Sequence, residues 1–144
     1  MLTLRITKRE YYLNIARSVS LRSTCLRRRY GSIIVNNDEI VGTGYNGSAR
    51  GEVNCCEKNI CPRKEQNIPH GEQYEKCVAI HAEMNAIISA GRKLCIDADL
   101  YLYGEDIDTG EVIEETAPCG ICINIIKNAG IKRIITKHKI FEIK

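Results

Sequence analysis

Tyr30-Gly-Ser-Ile-Ile-Val35, Asn36-Asn-Asp38 and Glu39-Ile-Val-Gly-Thr-Gly-Tyr45 follow one another without a break. The first is a short run rich in β-branched residues, the second supplies turn chemistry, and the third returns in the opposite sense. Two such runs across a tight polar turn spell a β-hairpin. On its N-terminal side, Thr7 to about Leu21 reads as a helix. Thr7 suits an N-cap with Glu10 three positions on, and Tyr11, Tyr12, Ile15, Ala16 and Val19 recur at helical spacing. On its C-terminal side the pattern dissolves from Asn46 to about Lys76, a stretch holding two prolines and three cysteines. A loop of that length inside a compact domain is usually functional.

Further out, Cys77 to Gly91 reads as a helix. Val78, Ile80, Met84, Ala86, Ile87, Ile88 and Ala90 give it an almost all-round apolar surface, which predicts burial. Asp99-Leu-Tyr-Leu-Tyr-Gly104 is a third strand. Residues 104–117 form an acidic excursion with a turn signal at Asp108-Thr-Gly110, compatible with a hairpin. Pro118 opens a helix to about Asn128, Ile131 to Thr136 is a fourth strand, and the tail through Phe141 offers a fifth. The order α-β-β-α-β-α-β(-β) predicts an α/β fold with helices packed on a central mixed sheet of four to five strands. The 144 residues are expected to form a single domain, 1–144.

Hydrophobic residues make up 44% and charged residues 27% of the chain, the balance of a soluble globular protein. Lys and Arg number 21 against 18 Asp and Glu, a net charge of +3, which suits a small anionic substrate and does not demand nucleic acid. No apolar stretch approaches the ~20 residues of a membrane span, and the N-terminus becomes charged too early for a signal-peptide core. The expected location is the cytoplasm. There the eight cysteines read as metal ligands rather than as a disulfide framework.

Two short motifs carry the chemistry: His81-Ala82-Glu83 and Pro118-Cys119-Gly-Ile-Cys122. Either alone is weak. Together, in this order and each at the start of a predicted helix, they form the H-x-E…P-C-x-x-C signature of zinc deaminases. Cys119 and Cys122, three apart in a first helical turn, lie on one face and can grip a single ion. His81 adds a third ligand from another helix, which leaves the fourth tetrahedral position for water. Two thiolates weaken zinc as a Lewis acid, and two helix N-termini aimed at the cluster offset that loss. Glu83 is then the proton carrier and not a ligand. The bland reading, a solvated helix charge, conflicts with the burial predicted for this helix.

The chain resembles the deoxycytidylate (dCMP) deaminase family of the cytidine deaminase superfamily. Besides the two zinc motifs, Ser23-Thr-Cys-Leu-Arg-Arg-Arg29, Gly31-Ser-Ile-Ile-Val35, Gly42-Thr-Gly-Tyr-Asn-Gly47 with Arg50-Gly51, and His81-Ala-Glu-Met-Asn-Ala-Ile87 carry the likeness, from about Lys8 to Lys137. The resemblance implies a three-layer α/β/α fold, a catalytic zinc, conversion of dCMP to dUMP and ammonia, and a homo-oligomer. It implies that Asn46 holds the sugar and that the Ala82 backbone N–H reads the pyrimidine carbonyl; the residues alone allow Asn46 to be a left-handed turn residue before Gly47 instead. Candidates for the phosphate grip are Arg27, Arg28, Arg29, Arg50 and Arg63.

Some members of that family carry a second, structural zinc built from the end of the first helix, the long loop and the stretch before the His-x-Glu motif. Here those places hold Cys25, Cys55 or Cys56, Cys61 and Cys77, with His70 as a possible substitute ligand. Buried packing cysteines are the alternative, and that is the reading for Cys95. One departure from the family is the acidic insertion 104–117, since relatives run almost directly from the third strand into the Pro-Cys motif. Acid beside a phosphate site repels its ligand, so these side chains are expected to face away, or the substrate differs. The rival readings are a deaminase of tRNA adenosine or of another modified pyrimidine nucleotide, and a non-catalytic structural zinc module. No Trp, one Phe and a net charge of +3 weigh against nucleic acid.

Overall fold

The computed structural model describes residues 4–58, 66–67, 79–113 and 120–144. The first helix, α1 (Lys8–Ser20), starts where its cap predicts: Thr7 Oγ1 accepts a hydrogen bond from the Glu10 N–H at 3.1 Å. Strand β1 (Arg28–Asn36) and strand β2 (Glu39–Tyr45) form the expected hairpin, paired antiparallel from Gly31↔Tyr45 to Asn36↔Glu39. Asn37 and Asp38 sit at φ 52° and 61°, the left-handed pair that a tight two-residue hairpin turn requires.

Described residues of the predicted long loop form regular structure. They make a two-residue strand, β3 (Gly47–Ser48), and a single helical turn, α2 (Cys55–Lys58). Strand β4 (Ala79–Ile80) pairs antiparallel with β3, Gly47↔Ile80 and Ser48↔Ala79. That pairing corrects the expected helix start at Cys77. Backbone groups committed to β3 keep the chain extended, and helix α3 (Ala82–Ala90) begins only after His81, an extended N-cap at φ −70°, ψ 150°. Nor is α3 buried all round, since Ile88 is 73% exposed. Gly91, at φ 79°, ends it and leads into a short helix, α4 (Arg92–Cys95).

Strand β5 (Asp99–Asp106) pairs antiparallel with β1, helix α5 covers Gly120–Ala129, strand β6 (Arg133–Ile135) runs parallel to β5, and strand β7 (Ile140–Glu142) closes the edge antiparallel to β6. The order β2-β1-β5-β6-β7 makes a five-stranded mixed sheet. A salt bridge from Arg133 to both carboxylate oxygens of Asp99, at 2.9 and 2.7 Å, fastens β5 to β6. The acidic excursion does turn back as a hairpin. Asp106 N–H bonds the Glu111 carbonyl at 2.9 Å, Gly110 takes φ 72°, and the Ile113 N–H returns to the Gly104 carbonyl at 2.9 Å.

Strand alternation divides the core into two layers. Ile33, Val35, Tyr101 and Tyr103 pack with Tyr12, Leu13 and Ala16 of α1. Ile34, Leu100, Leu102 and Ile134 pack with Ala86 of α3 and with Cys122 and Ile126 of α5. Helix layers on both faces of the sheet make the three-layer α/β/α architecture. Cys95 is fully buried in the second cluster, as its packing role predicts.

Candidate active site

The position of α3 follows from small residues on both sides of its contact with the sheet. Gly42 and Gly44 on β2 face the helix backbone. A Cβ on Gly42 would fall 2.6 Å from the Ala86 carbonyl oxygen and 2.7 Å from the Ala90 Cβ, and one on Gly44 would collide with the Ala86 nitrogen and the Ala82 carbonyl oxygen. Ala82, Ala86 and Ala90, four residues apart, line the matching stripe of the helix. The seam brings the two backbones close. Asn85 Nδ2 then donates to the Tyr45 carbonyl at 2.8 Å and pins the first turn of α3 to the end of β2. Sequence reasoning did not assign this seam or Asn85; the signal was there, in two glycines alternating on a strand and three alanines at helical spacing.

This placement directs the beginning of α3 at α5. His81 Nδ1 lies 3.0 Å from Cys122 Sγ. Cys122 is fully buried, and Glu83 beside it is 6% exposed. Burial pushes the Glu83 carboxyl above its ordinary range, while hydrogen bonds from its own backbone N–H and from the Cys122 thiol pull the other way. Imidazole nitrogen, thiol sulfur and a buried carboxyl therefore meet between two helices. An imidazole nitrogen and a thiol sulfur in contact supply the kinds of donor that zinc favours. Among the described residues no group of three His, Cys, Asp or Glu side chains encloses one ion; Pro118 and Cys119 lie outside the described residues.

Asn46 is buried, and its carboxamide is tied to β1: Oδ1 accepts from the Tyr30 N–H and Nδ2 donates to the Arg28 carbonyl, both at 2.9 Å. The turn reading of Asn46 is corrected, because this residue is not among those with positive φ. The side chain continues the β1–β2 pairing beyond Tyr45 and has no need of a left-handed backbone. Ala82, the first residue of α3, is fully buried. Its N–H, like the others of a first helical turn, has no acceptor within the helix.

The arginine candidates separate. Arg29 Nε lies 3.4 Å from Glu105 Oε1, and Tyr103 donates its hydroxyl to Glu105 Oε2 at 2.9 Å. By strand alternation Arg29, Tyr103 and Glu105 face the α1 side, away from Glu83. Glu105 is 5% exposed, so this acidic residue of the insertion is sequestered rather than solvated. The Arg27 N–H donates to Cys25 Sγ at 3.4 Å, and Arg50 is exposed in the turn after β3. Arg63 lies outside the described residues.

Of the expected second metal site, Cys25, Cys55 and Cys56 lie among the described residues, where no three such side chains form a metal-binding group. The Cys56 N–H bonds the Thr24 carbonyl at 3.1 Å, which sets the buried Cys55 and the exposed Cys56 beside the half-buried Cys25. Cys61, Cys77 and His70 lie outside the described residues.

Residues 6–138 match the family model described as the cytidine and deoxycytidylate deaminase zinc-binding region. The chain belongs to this family, and it is a deaminase, an enzyme of the hydrolase class. It is 35% identical to a deoxycytidylate deaminase of Mycobacterium phage D29, over 88% of this chain and 91% of the relative. It is 34% identical to a deoxycytidylate deaminase of Schizosaccharomyces pombe over 87% of this chain, but spans only 35% of that longer protein. Among solved structures it is similar to the dCMP deaminase of cyanophage S-TIM5 in apo form, with a TM-score of 0.62 and 25% identity, covering 91% of this chain and 84% of that one. No helix among the described residues is long and apolar enough to cross a membrane.

Proposed function

We propose that the chain hydrolyses dCMP to dUMP and ammonia, with a zinc ion held by His81, Cys119 and Cys122 and with Glu83 as proton carrier. The observation that carries this reading is the buried Glu83 carboxyl at the point where His81 Nδ1 and Cys122 Sγ face each other 3.0 Å apart. The names of the relatives support the choice of nucleotide. Zinc bound there supplies Lewis acidity and makes water a competent nucleophile at neutral pH.

The residues of the chain do the rest. The Glu83 carboxylate accepts a proton from the attacking water and passes it to the ring nitrogen beside the amino-bearing carbon. It then carries the second proton to the departing ammonia. After its two bonds to β1, the Asn46 carboxamide retains one N–H and one lone pair for a sugar hydroxyl. The Ala82 N–H is assigned to the pyrimidine carbonyl. The phosphate falls to Arg27, Arg28, Arg50 or Arg63, since Arg29 is engaged by Glu105. Cys25 with Cys55 or Cys56, Cys61, Cys77 and His70 is assigned to a second, structural zinc.

Ammonia release assayed side by side on dCMP, dCTP, cytidine and an anticodon stem-loop tests the function. Turnover of dCMP above the other three is the expected outcome. Preference for the stem-loop, or no ammonia from any of them, would refute it.

A further inference from the structure

We propose that Thr24, which lies outside both chemical motifs, is a positioning residue: its N–H and hydroxyl hold β3, and through β3 they set both Asn46 and the entry of His81 into α3. This rests on the reading of Asn46 as sugar contact and of His81 as zinc ligand. Thr24 stands half-buried in the loop after α1 and joins that loop to β3 and to α2. Its N–H donates to the Asn46 carbonyl at 3.2 Å, and its Oγ1 accepts from the Ser48 N–H at 3.3 Å. Its carbonyl accepts from the Cys56 N–H at 3.1 Å. In an extended strand, residues two apart present their N–H and C=O groups to one edge, and the residue between them presents its own to the other. Thr24 therefore takes the edge formed by Asn46 and Ser48 and leaves Gly47 to β4, where it pairs with Ile80. The contact is also close. A Cβ on Gly47 would fall 2.7 Å from Thr24 Oγ1 and 3.6 Å from its Cγ2. Gly47 is not among the glycines of positive φ, so the demand here is for space and not for a special backbone.

Two residues of the site hang on this strand. Asn46 leads into β3; its carboxamide is fixed to β1, and its carbonyl is fixed to Thr24 on the other side. Ile80, paired with Gly47, is followed directly by His81, the extended N-cap from which the imidazole reaches Cys122. A ladder of two residues on each strand is too short to keep its own place. The Thr24 bonds supply the anchor. Without the hydroxyl, β3 loosens, and the sugar contact and the approach to the imidazole loosen with it. Misplacing groups at a site by about 1 Å can cost up to about 10²-fold, even when the substitution is remote from the chemistry.

The test compares the zinc-loaded wild-type chain with Thr24→Val, Thr24→Ser and Gly47→Ala, at a temperature where circular dichroism shows each protein folded. It reads KM and kcat for dCMP and the rate of zinc release to a chelator. Thr24→Val keeps the shape and removes the acceptor, and it is expected to raise KM and to speed zinc release, each by about tenfold. Thr24→Ser retains the hydroxyl and stays close to wild type. Gly47→Ala pushes the hydroxyl off the strand and follows Thr24→Val, and it carries the test if Thr24→Val does not fold. A merely structural Thr24 would lower the melting temperature and leave KM and zinc release of the folded protein unchanged. That result, a change in only one of the two readouts, or a Thr24→Ser protein as impaired as Thr24→Val overturns the positioning role and leaves the deaminase reading intact. A wild-type chain that holds no zinc and releases no ammonia from dCMP overturns the reading of the site, and the role of Thr24 with it.

Discussion

Asn46 shows how one side chain serves backbone and site together. Its carboxamide satisfies the Tyr30 N–H and the Arg28 carbonyl, two groups that β2 no longer reaches. Asn46→Ala leaves both without that partner, at about 1–3 kcal/mol for a buried unsatisfied group, so urea unfolding should show a loss of that order. Asn46→Asp keeps the acceptor for Tyr30 but turns an acceptor toward the Arg28 carbonyl, and it should be no more stable than the alanine variant. Equal stability of all three proteins would contradict the anchoring role. That His81, Glu83 and Cys122 come together was legible in the sequence because the signature they belong to restricts residue type and spacing. The Asn46 clamp and the Glu105–Arg29 pair were not, because they depend on which residues the strand register sets opposite one another.

At the scale of elements, the seam between β2 and α3 decides where the start of α3 points. Gly44→Ala forces a methyl into the Ala82 and Ala86 backbone. Overpacking of this kind costs about 1–3 kcal/mol, and because it tilts the helix carrying His81 and Glu83, activity should fall along with thermal stability. Wild-type activity in a folded Gly44→Ala protein would show that the seam does not position the site. The β1–β2 turn is independent of it. The Lys8 ammonium and then the Tyr12 hydroxyl hold the Asp38 carboxyl below the usual carboxylate range. A folded pKa below the unfolded one contributes stability in full above the unfolded value, about 3.9. That contribution is lost as pH falls through the folded value. Asp38→Asn should therefore flatten the acid limb of the stability profile; an identical acid limb in both proteins would contradict the linkage. The hairpin was legible because its turn residues and strand residues differ in kind. Ala79-Ile80 was not, since alanine and isoleucine fit the end of a helical pattern as well as a two-residue strand, and only pairing with Gly47-Ser48 decides.

For the molecule as a whole, the order of elements foretold the layers because each apolar face must be covered. α1 lies on one side of the sheet, α3 and α5 on the other. The parallel β5–β6 pair follows from the crossover through α5 between them. The long excursion after Asn46 was less legible, as glycine, proline and cysteine leave no periodicity to read, and its described residues are held by contacts to Thr24 and β4. The proposed function makes one requirement of all these layers: Glu83 stands beside the proposed metal ligands as a proton carrier without being one of them. The most direct test measures zinc content and ammonia release together on the wild-type chain and on Glu83→Gln. The variant is expected to retain the zinc of the wild type and to lose turnover by about 10²-fold or more; unchanged turnover, or loss of the metal along with the activity, would contradict that role.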